Sequence, residues 1–277
     1  MGLFNLVPTI FDLEGGISMR FTILGSGGAI RIPRACCSCK VCEEARLKGF
    51  PYKRLGQSLF LHDESILFDT PEDINEELNI HNVNEVKNIF YSHWHPDHTL
   101  GCRIIETLMD SRDDKTPINV YMPPENIEIT FNKNNSIYSF YEHLDYCKII
   151  NKNSNVVLGK ISIKRIKLLN NFAYAFLIED ENKKVLFCPC HSMYIPIIDE
   201  LHNVDMLIMG LGYMNTIEDD VTNFQRDSLR IINDLKPKKV LFTHIEEVDG
   251  LNFDDYKKLE QKYSNLEFAY DGMNIDI

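Results

Sequence analysis

The stretch that decides the fold reads Ser92-His93-Trp94-His95-Pro96-Asp97-His98-Thr99-Leu100-Gly101. It places three imidazoles and one carboxylate within six residues, directly after an apolar run, residues 86–91, that is typical of a buried strand. His93 and His95 can direct their rings to one side of the loop, whereas Asp97 and His98 can reach a second point about 3.5 to 4 Å away. Because imidazole and carboxylate bind Zn²⁺, Fe and Mn, the stretch predicts a metal site with room for two ions.

The segments on both sides of this stretch alternate between strand and helix patterns. Strands are predicted at residues 20–24, 57–62, 65–69, 86–91, 118–122, 148–150, 160–166, 174–178, 184–187, 206–209 and 239–243. Helices are predicted at residues 72–78, 100–109, 222–235 and 254–263. The sequence has no low-complexity linker and no repeat, so one domain with sheets and outer helices is expected.

The composition excludes several classes of protein. The chain has 277 residues, with 29 basic and 41 acidic side chains and a net charge of −12. This balance opposes binding to the phosphates of nucleic acid and to anionic membranes, so neither nucleic acid nor a membrane is expected as a partner. A small-molecule substrate is expected instead. The sequence also has no continuous run of roughly 18 apolar residues, which a membrane span needs, and no signal-peptide pattern. We therefore predict a cytoplasmic protein.

Cysteine provides a second metal-binding pattern. Eight cysteines in a cytoplasmic chain are thiols or metal ligands rather than disulfides, and four of them lie between Cys36 and Cys42. The spacing of Cys37, Cys39 and Cys42 is similar to that of structural zinc knuckles, in which a fourth ligand completes a tetrahedron. Because zinc binding contributes folding free energy, we expect this knuckle, residues 36–42, to hold an otherwise loop-like segment, residues 30–56.

The signature His-x-His-x-Asp-His resembles that of the metallo-β-lactamase superfamily, and the resemblance extends from about Arg20 to Ile277. Within it, the chain is similar to the cyclic-phosphate phosphodiesterase branch of the carbon-phosphorus lyase pathway, through the knuckle, residues 24–29, residues 243–245 and residues 271–273. The pyrroloquinoline quinone biosynthesis B proteins share its N-terminal plan. The resemblance implies an α/β fold, a four-layer αββα sandwich forming one domain over residues 19–277, with residues 1–18 as an N-terminal extension. Homodimers are frequent in this branch, so a homodimer is expected.

The resemblance also implies the site. Its active-site metal ligands are His93, His95, Asp97, His98 and His244. In addition, Asp97 is expected to orient the nucleophile as a catalytic residue, and Asp69 is expected to orient the metal-binding loop. The implied cofactors are one structural zinc at the knuckle and one or two zinc ions in the active site, where Mn or Fe are alternatives.

The chain departs from the superfamily pattern at two metal ligands. The third histidine expected before residues 174–178 is replaced by Leu168-Leu169-Asn170-Asn171, and His143 or His191 would have to substitute for it. Cys190 stands at the position of the metal-bridging aspartate, and a thiolate is a good ligand for Zn²⁺ or Fe²⁺. We therefore predict that Cys190 binds metal, with His191 as a further ligand or a proton shuttle. The remaining cysteines are predicted to be interior thiols: Cys102, Cys147 and Cys188.

Two further departures concern the substrate and the knuckle. Tyr213 stands near a histidine of the related phosphodiesterase, so it is the candidate to contact the leaving group, although a tyrosine with a pKa of about 10 is a weaker proton donor. Glu247 replaces the histidine that completes the related knuckle, so either Glu247 or Cys36 is the candidate fourth ligand, or the zinc site is absent.

Three functions fit these residues. The first is a metal-dependent hydrolase, a phosphodiesterase that cleaves a small cyclic or nucleotide-like phosphate with a metal-activated water. The second is an iron-dependent, oxygenase-like biosynthetic enzyme, which is considered because the third histidine ligand of the hydrolases is missing. The third is a metal-binding protein that has lost catalysis, against which the intact set of His93, His95, Asp97, His98 and His244 argues.

Overall fold

The computed structural model describes residues 19–123, 136–151, 154–212, 214 and 224–277. The strands of these residues are β1 (Arg20–Gly25), β2 (Ser58–Leu61), β3 (Ile66–Phe68), β4 (Asn88–Phe90), β5 (Ile118–Tyr121), β6 (Cys147–Ile150), β7 (Asn155–Leu158), β8 (Ile161–Lys167), β9 (Tyr174–Glu179), β10 (Lys184–Cys188), β11 (Met206–Gly210), β12 (Lys239–Thr243), β13 (Leu266–Phe268) and β14 (Met273–Asp276). The α-helices are α1 (Lys40–Lys48), α2 (Ile74–Ile80), α3 (Pro96–Thr99), α4 (Ile104–Ser111), α5 (Ile137–His143), α6 (Arg230–Leu235) and α7 (Phe253–Glu260). Short 3-10 helices span Leu100–Arg103, Ser192–Tyr194, Asp199–Leu201 and Glu247–Asp249, and a π-helical turn spans Phe224–Leu229.

The strands form two mixed sheets of seven strands each. The first has the order β14-β1-β2-β3-β4-β5-β6, and the second has the order β13-β12-β11-β10-β9-β8-β7. β14, near the end of the chain, pairs antiparallel with β1 and so closes the first sheet. In both sheets the strands nearest the predicted site are parallel, β3 with β4 and β10 with β11 and β12.

Each sheet has apolar side chains on both faces, so that one face packs against the other sheet and the opposite face packs against helices. In β10, Val185 and Phe187 point into the core between the two sheets, whereas Leu186 and Cys188 face the helices outside the second sheet. The inner core contains aromatic pairs such as Phe68 with Phe176, whose ring centroids are 5.0 Å apart, and such a pair adds about 0.5–1.5 kcal/mol to the burial of its surface. Because α2 and α4 cover the first sheet and α6 and α7 cover the second, the four-layer αββα sandwich is confirmed.

Most predicted elements agree with the structure within a few residues, but several short elements were not predicted, among them helices α3 and α5. Strands β7, β13 and β14 are short segments that the apolar pattern did not predict. The segment 30–56, predicted to be loop-like, contains α1, which is rich in good helix formers and carries an ion pair between Glu44 and Lys48 at 2.6 Å. The helix was missed because it buries only Val41, Cys42 and Ala45 and so lacks a long apolar stripe.

Two further predictions concern the N-terminal segment and a possible membrane span. The proposed extension, residues 1–18, lies outside the described residues. Within the part of the chain that the structure describes, no helix is long and apolar enough to span a membrane.

Candidate metal centre

The site lies where parallel strands of both sheets end. β3 is followed by Asp69, and β4 leads through Tyr91 and Ser92 into the loop that carries His93. In the second sheet, Cys190 follows β10 by two residues and His244 follows β12 directly. Because the carboxyl ends of parallel strands lie at one edge of a sheet, the fold brings together residues that are up to 175 positions apart in the sequence (244 − 69).

A buried carboxylate orients the histidine loop, as predicted for Asp69. Its Oδ1 accepts a hydrogen bond from the backbone N–H of Ser92 at 2.8 Å, and its Oδ2 accepts from the Ser92 hydroxyl and from Nδ1 of His98, each at 2.7 Å. Because the Ser92 hydroxyl donates to Asp69, it accepts from Nδ1 of His93 at 3.0 Å. Both rings therefore carry their proton on Nδ1 and keep Nε2 free as a ligand atom.

His244 approaches from the second sheet. Its backbone, at a φ of 55°, is held by an N–H donated to Oε1 of the buried Gln57 at 3.1 Å. The His244 ring stacks on the His98 ring with an interplanar angle of 11°, and Oδ2 of Asp97 lies 3.1 Å from Nε2 of His98 and 3.4 Å from Nε2 of His244. Neither contact is a hydrogen bond, and three ligand atoms at this spacing are the arrangement expected around one cation.

Cys190 lies between two groups of imidazoles. Its sulfur falls within 4.8 Å of ligand atoms of His93 and His191 on one side, and of His98 and His244 on the other. Burial disfavours a charged thiol, but the surrounding imidazoles, His244 foremost, lower the pKa of Cys190 well below its usual value. The thiolate, the form that binds metal, is therefore favoured at Cys190, which lies between both groups of imidazoles.

His191 provides an imidazole that the sequence pattern lacked. It has a left-handed backbone, with a φ of 56°, which turns the chain just after Cys190 and directs the ring toward the loop. The His191 ring centroid lies 5.2 Å from that of His93 and 5.3 Å from that of His95, while the rings of His93 and His95 are 4.4 Å apart. The three imidazole rings thus lie beside one another, but only His93 and His191 have ligand atoms within 4.8 Å of each other and of Cys190, and His95 stands next to this group. The third ring comes from the loop after β10 and not from the segment before β9.

The segment before β9 provides an aromatic side chain and not a ligand. Phe172 packs on the same imidazoles, with its ring centroid 4.9 Å from His191 and 5.6 Å from His95. Asn170 accepts hydrogen bonds from the backbone N–H groups of Phe172 and Ala173 and so shapes this turn. The other candidate, His143, is exposed at the end of α5 and belongs to none of the ligand groups of the described residues, so it is excluded.

The unpartnered nitrogens are those that a metal would need. The Nε2 atoms of four histidines are buried and make no hydrogen bond in the described structure: His93, His98, His191 and His244. A buried imidazole nitrogen without a partner is costly, whereas four of them around a thiolate and a carboxylate form a donor set that suits Zn²⁺ or Fe²⁺. Burial also lowers the pKa of His93 to about 4, which keeps this ring neutral and able to bind metal. The residues present therefore fit a metal centre.

A cavity of about 480 Å³ opens beside these ligands. His95, Asp97, Cys190, His191 and His244 form its inner end. Its outer walls are lined by Ala29, Ser192, Met193, residues 210–212, Arg226, Asp227, Ser228 and Glu246. This volume holds a small molecule, in keeping with the predicted substrate size. Tyr213, the predicted contact of the leaving group, lies outside the described residues.

Sequence reasoning missed two kinds of residue at this site. Phe172 gave no signal because a single aromatic residue in a turn has no distinctive pattern. Glu246 and the Arg226–Asp227 pair were missed because charged residues on a loop and on a helix are ordinary surface features in a sequence. The position of Glu246, two residues after the predicted ligand His244, is the one signal that pointed to it.

The knuckle cysteines also come together. The sulfurs of Cys37, Cys39 and Cys42 all lie within 4.8 Å of one another. A hydrogen bond from the backbone N–H of Cys39 and another from Arg34 lower the pKa of Cys37 to about 7, which favours the thiolate. Glu247 is not among these ligand atoms, because its Oε1 is bound to Nη1 of Arg34 at 2.7 Å.

Cys36 does not complete the knuckle either, since it is exposed and lies outside this group of the described residues. Arg34 instead links the knuckle to the loop after His244, because its other Nη contacts the sulfur of Cys37 at 3.5 Å. The predictions of interior thiols are confirmed, because Cys102, Cys147 and Cys188 are buried.

Comparison with known proteins agrees with this fold. A family model described as the β-lactamase superfamily domain matches residues 64–245. A diphosphatase from the PhnP family has a TM-score of 0.75 at 19% identity, over 94% of this chain and 98% of that chain. Zinc-bound PqqB from Methylobacterium extorquens has a TM-score of 0.68 at 16% identity, over 94% and 100%. YhfI from Bacillus subtilis, a metallo-β-lactamase fold protein, has a TM-score of 0.65 at 16% identity, over 94% and 100%. At these identities the structures share the fold, and no curated protein sequence matches the chain.

Proposed function

Because the chain belongs to the metallo-β-lactamase superfamily of metal-dependent hydrolases, we propose that it is a phosphodiesterase that cleaves a small cyclic or nucleotide-like phosphate. One observation carries this proposal. Four buried imidazole nitrogens without hydrogen-bond partners surround one thiolate at the inner end of a cavity of about 480 Å³. The likeness to a diphosphatase from the PhnP family supports phosphate chemistry.

The chain provides two ligand sets that share Cys190. His93 and His191, with His95 beside them, would hold the first ion, and His98 and His244, with Asp97 between their Nε2 atoms, would hold the second. Divalent ions held there would lower the pKa of a bound water and neutralise negative charge on the phosphate. Cys190 would serve both sets, at the sequence position where the superfamily has an aspartate.

The remaining roles follow from position. Asp97 lines the cavity and holds its Oδ2 between the Nε2 atoms of His98 and His244, so its carboxylate can orient a water molecule at the inner end. Asp69 acts through Ser92 and His98 and fixes their orientation, so it is a positioning residue. Phe172 covers the imidazoles and limits the access of bulk water to them.

The test is an assay of the purified protein, loaded with Zn²⁺ or Mn²⁺, on bis(p-nitrophenyl) phosphate and on ribose cyclic phosphates. We expect turnover, and a decrease of about 100-fold or more in Asp97→Asn, since loss of a positioned charged group costs about that factor. Asp113→Asn, at an exposed position outside the cavity, is the matched control and should behave as the unaltered protein. Metal-loaded protein that cleaves none of these substrates would refute the phosphodiesterase.

An iron-dependent oxygenase is the second candidate, and the thiolate at the bridging position favours it because Fe²⁺ binds thiolate and imidazole well. Metal analysis of protein purified without added metal distinguishes the two. Stoichiometric iron together with oxygen-dependent turnover supports the oxygenase, whereas two zinc ions beyond the knuckle support hydrolysis.

A further inference from the structure

The outer part of the cavity carries a carboxylate that the proposed hydrolysis does not use. Glu246 lines the cavity two residues after His244, and its Oε1 accepts a hydrogen bond from the backbone N–H of Ala29 at 3.1 Å. This bond occupies one oxygen and holds the side chain in place. Among the described residues, no lysine, arginine or histidine forms an ion pair with Glu246.

The backbone around Glu246 is built to accommodate it. A Cβ atom at Gly28 would lie 2.7 Å from Oε1 of Glu246 and closer still to its Cγ, so a side chain at position 28 would displace the carboxylate. The loop Gly28–Ala29 is attached to the segment that carries Glu246, because the N–H of Gly28 donates to the carbonyl of Ile245 at 3.0 Å. The glycine and the backbone donor together fix where this carboxylate stands.

The other charges on the outer wall cancel. Nε and Nη2 of Arg226 donate to Oδ1 and Oδ2 of Asp227, each at 2.7 Å, so this cation is neutralised by its neighbour. Among the described residues on the outer wall, Glu246 is therefore the group whose charge no neighbour balances. A free carboxylate repels a second phosphate and attracts groups that donate hydrogen bonds.

We propose that Glu246 binds the hydroxyl groups of a sugar phosphate and so sets the specificity of the cavity. This inference rests on the proposed function, in which the phosphate lies at the metal ligands. The sugar then extends toward the outer wall, where two neighbouring hydroxyls can donate to the carboxylate. A site built to accept hydrogen bonds from hydroxyls rejects analogues that lack them, because its polar group is then left unpaired. Polyphosphates are disfavoured by the same charge.

Calorimetry of the zinc-loaded protein with ribose 5-phosphate and with inorganic phosphate tests this role without requiring turnover. We expect ribose 5-phosphate to bind about tenfold more tightly than phosphate, and Glu246→Gln to abolish that preference while the Kd of phosphate stays unchanged. Gly28→Ala, which displaces the carboxylate without removing its charge, should have the same effect. Glu85→Gln removes an equal charge outside the cavity and should retain the preference.

Several outcomes would overturn the proposal. Equal binding of the two ligands by the unaltered protein, or equal weakening of both by Glu246→Gln, excludes a role for Glu246 in recognising hydroxyls. Phosphoethanolamine tests an amine as the donor, and tighter binding of it than of ribose 5-phosphate would contradict the sugar. A preference that persists in a protein without phosphodiesterase activity refutes the hydrolysis alone, whereas hydrolysis without a preference refutes the role of Glu246 alone.

Discussion

Replacing His191 tests whether this residue, in the loop after β10, serves as the third histidine ligand that the superfamily pattern places before β9. His191 belongs to the group with His93 and Cys190 and not to the group with His98 and His244, so its removal affects one of the two ions. The first group loses one of the three ligands that lie within 4.8 Å of one another. Removing a residue that only hydrogen-bonds to a ligand already costs about 10–100-fold in metal affinity, so we expect the loss of a ligand itself to cost at least 100-fold, which corresponds to about 2.7 kcal/mol.

Asparagine is the appropriate replacement for His191, because it adopts a φ near 56° with less strain than most residues. We expect His191→Asn to retain one metal equivalent fewer than the unaltered protein after dialysis, as measured by plasma mass spectrometry. The thiolate-to-cobalt absorption band of the cobalt-substituted protein should persist, since Cys190 still binds the second ion. His143→Asn, at the exposed end of α5, is the control and should change neither quantity. If the His191→Asn protein binds both ions with unaltered affinity, His191 is not a metal ligand.

Three further predictions concern single residues. Cys190→Ser removes the shared ligand, so we expect the thiolate-to-cobalt band of the active site to disappear and the metal content to fall by up to two equivalents; an unchanged band would exclude Cys190 as a ligand. Asp69→Asn should weaken metal binding about 10–100-fold in a chelator competition, because Asp69 orients His98 and is not itself a ligand. Unaltered affinity would contradict this role. Burial raises the pKa of Asp271 from 3.8 to about 6, so the folded protein binds this proton more tightly than the unfolded chain and the free energy of unfolding falls as the pH rises through this interval. Denaturant titrations of Asp271→Asn should show a flatter dependence on pH between about 4 and 6, and an equal slope would show that Asp271 does not titrate there.

Much of the architecture followed from local patterns. Strands such as β4 and β10 consist largely of buried apolar residues next to turn residues, and this pattern can be recognised in the sequence alone. The His-x-His-x-Asp-His loop and the late histidine were recognisable because ligand spacing within a loop is a local property. Helix α1 was missed because its burial is slight, and its place next to the knuckle depends on contacts with distant residues. The homodimer and the cytoplasmic location stay predictions.

Local spacing was enough to identify the chemical groups of the site and the ligand that the superfamily pattern lacks here. His93, His95, Asp97 and His98 lie within six residues, so their grouping needed no tertiary information. The folded chain was needed to show that His191 lies beside His93 and His95, that Phe172 packs on the same rings, and that Arg34 pairs with Glu247. These contacts depend on a left-handed turn after Cys190 and on the way the two sheets place their strand ends side by side, because residues far apart in the sequence meet there and local spacing encodes neither feature.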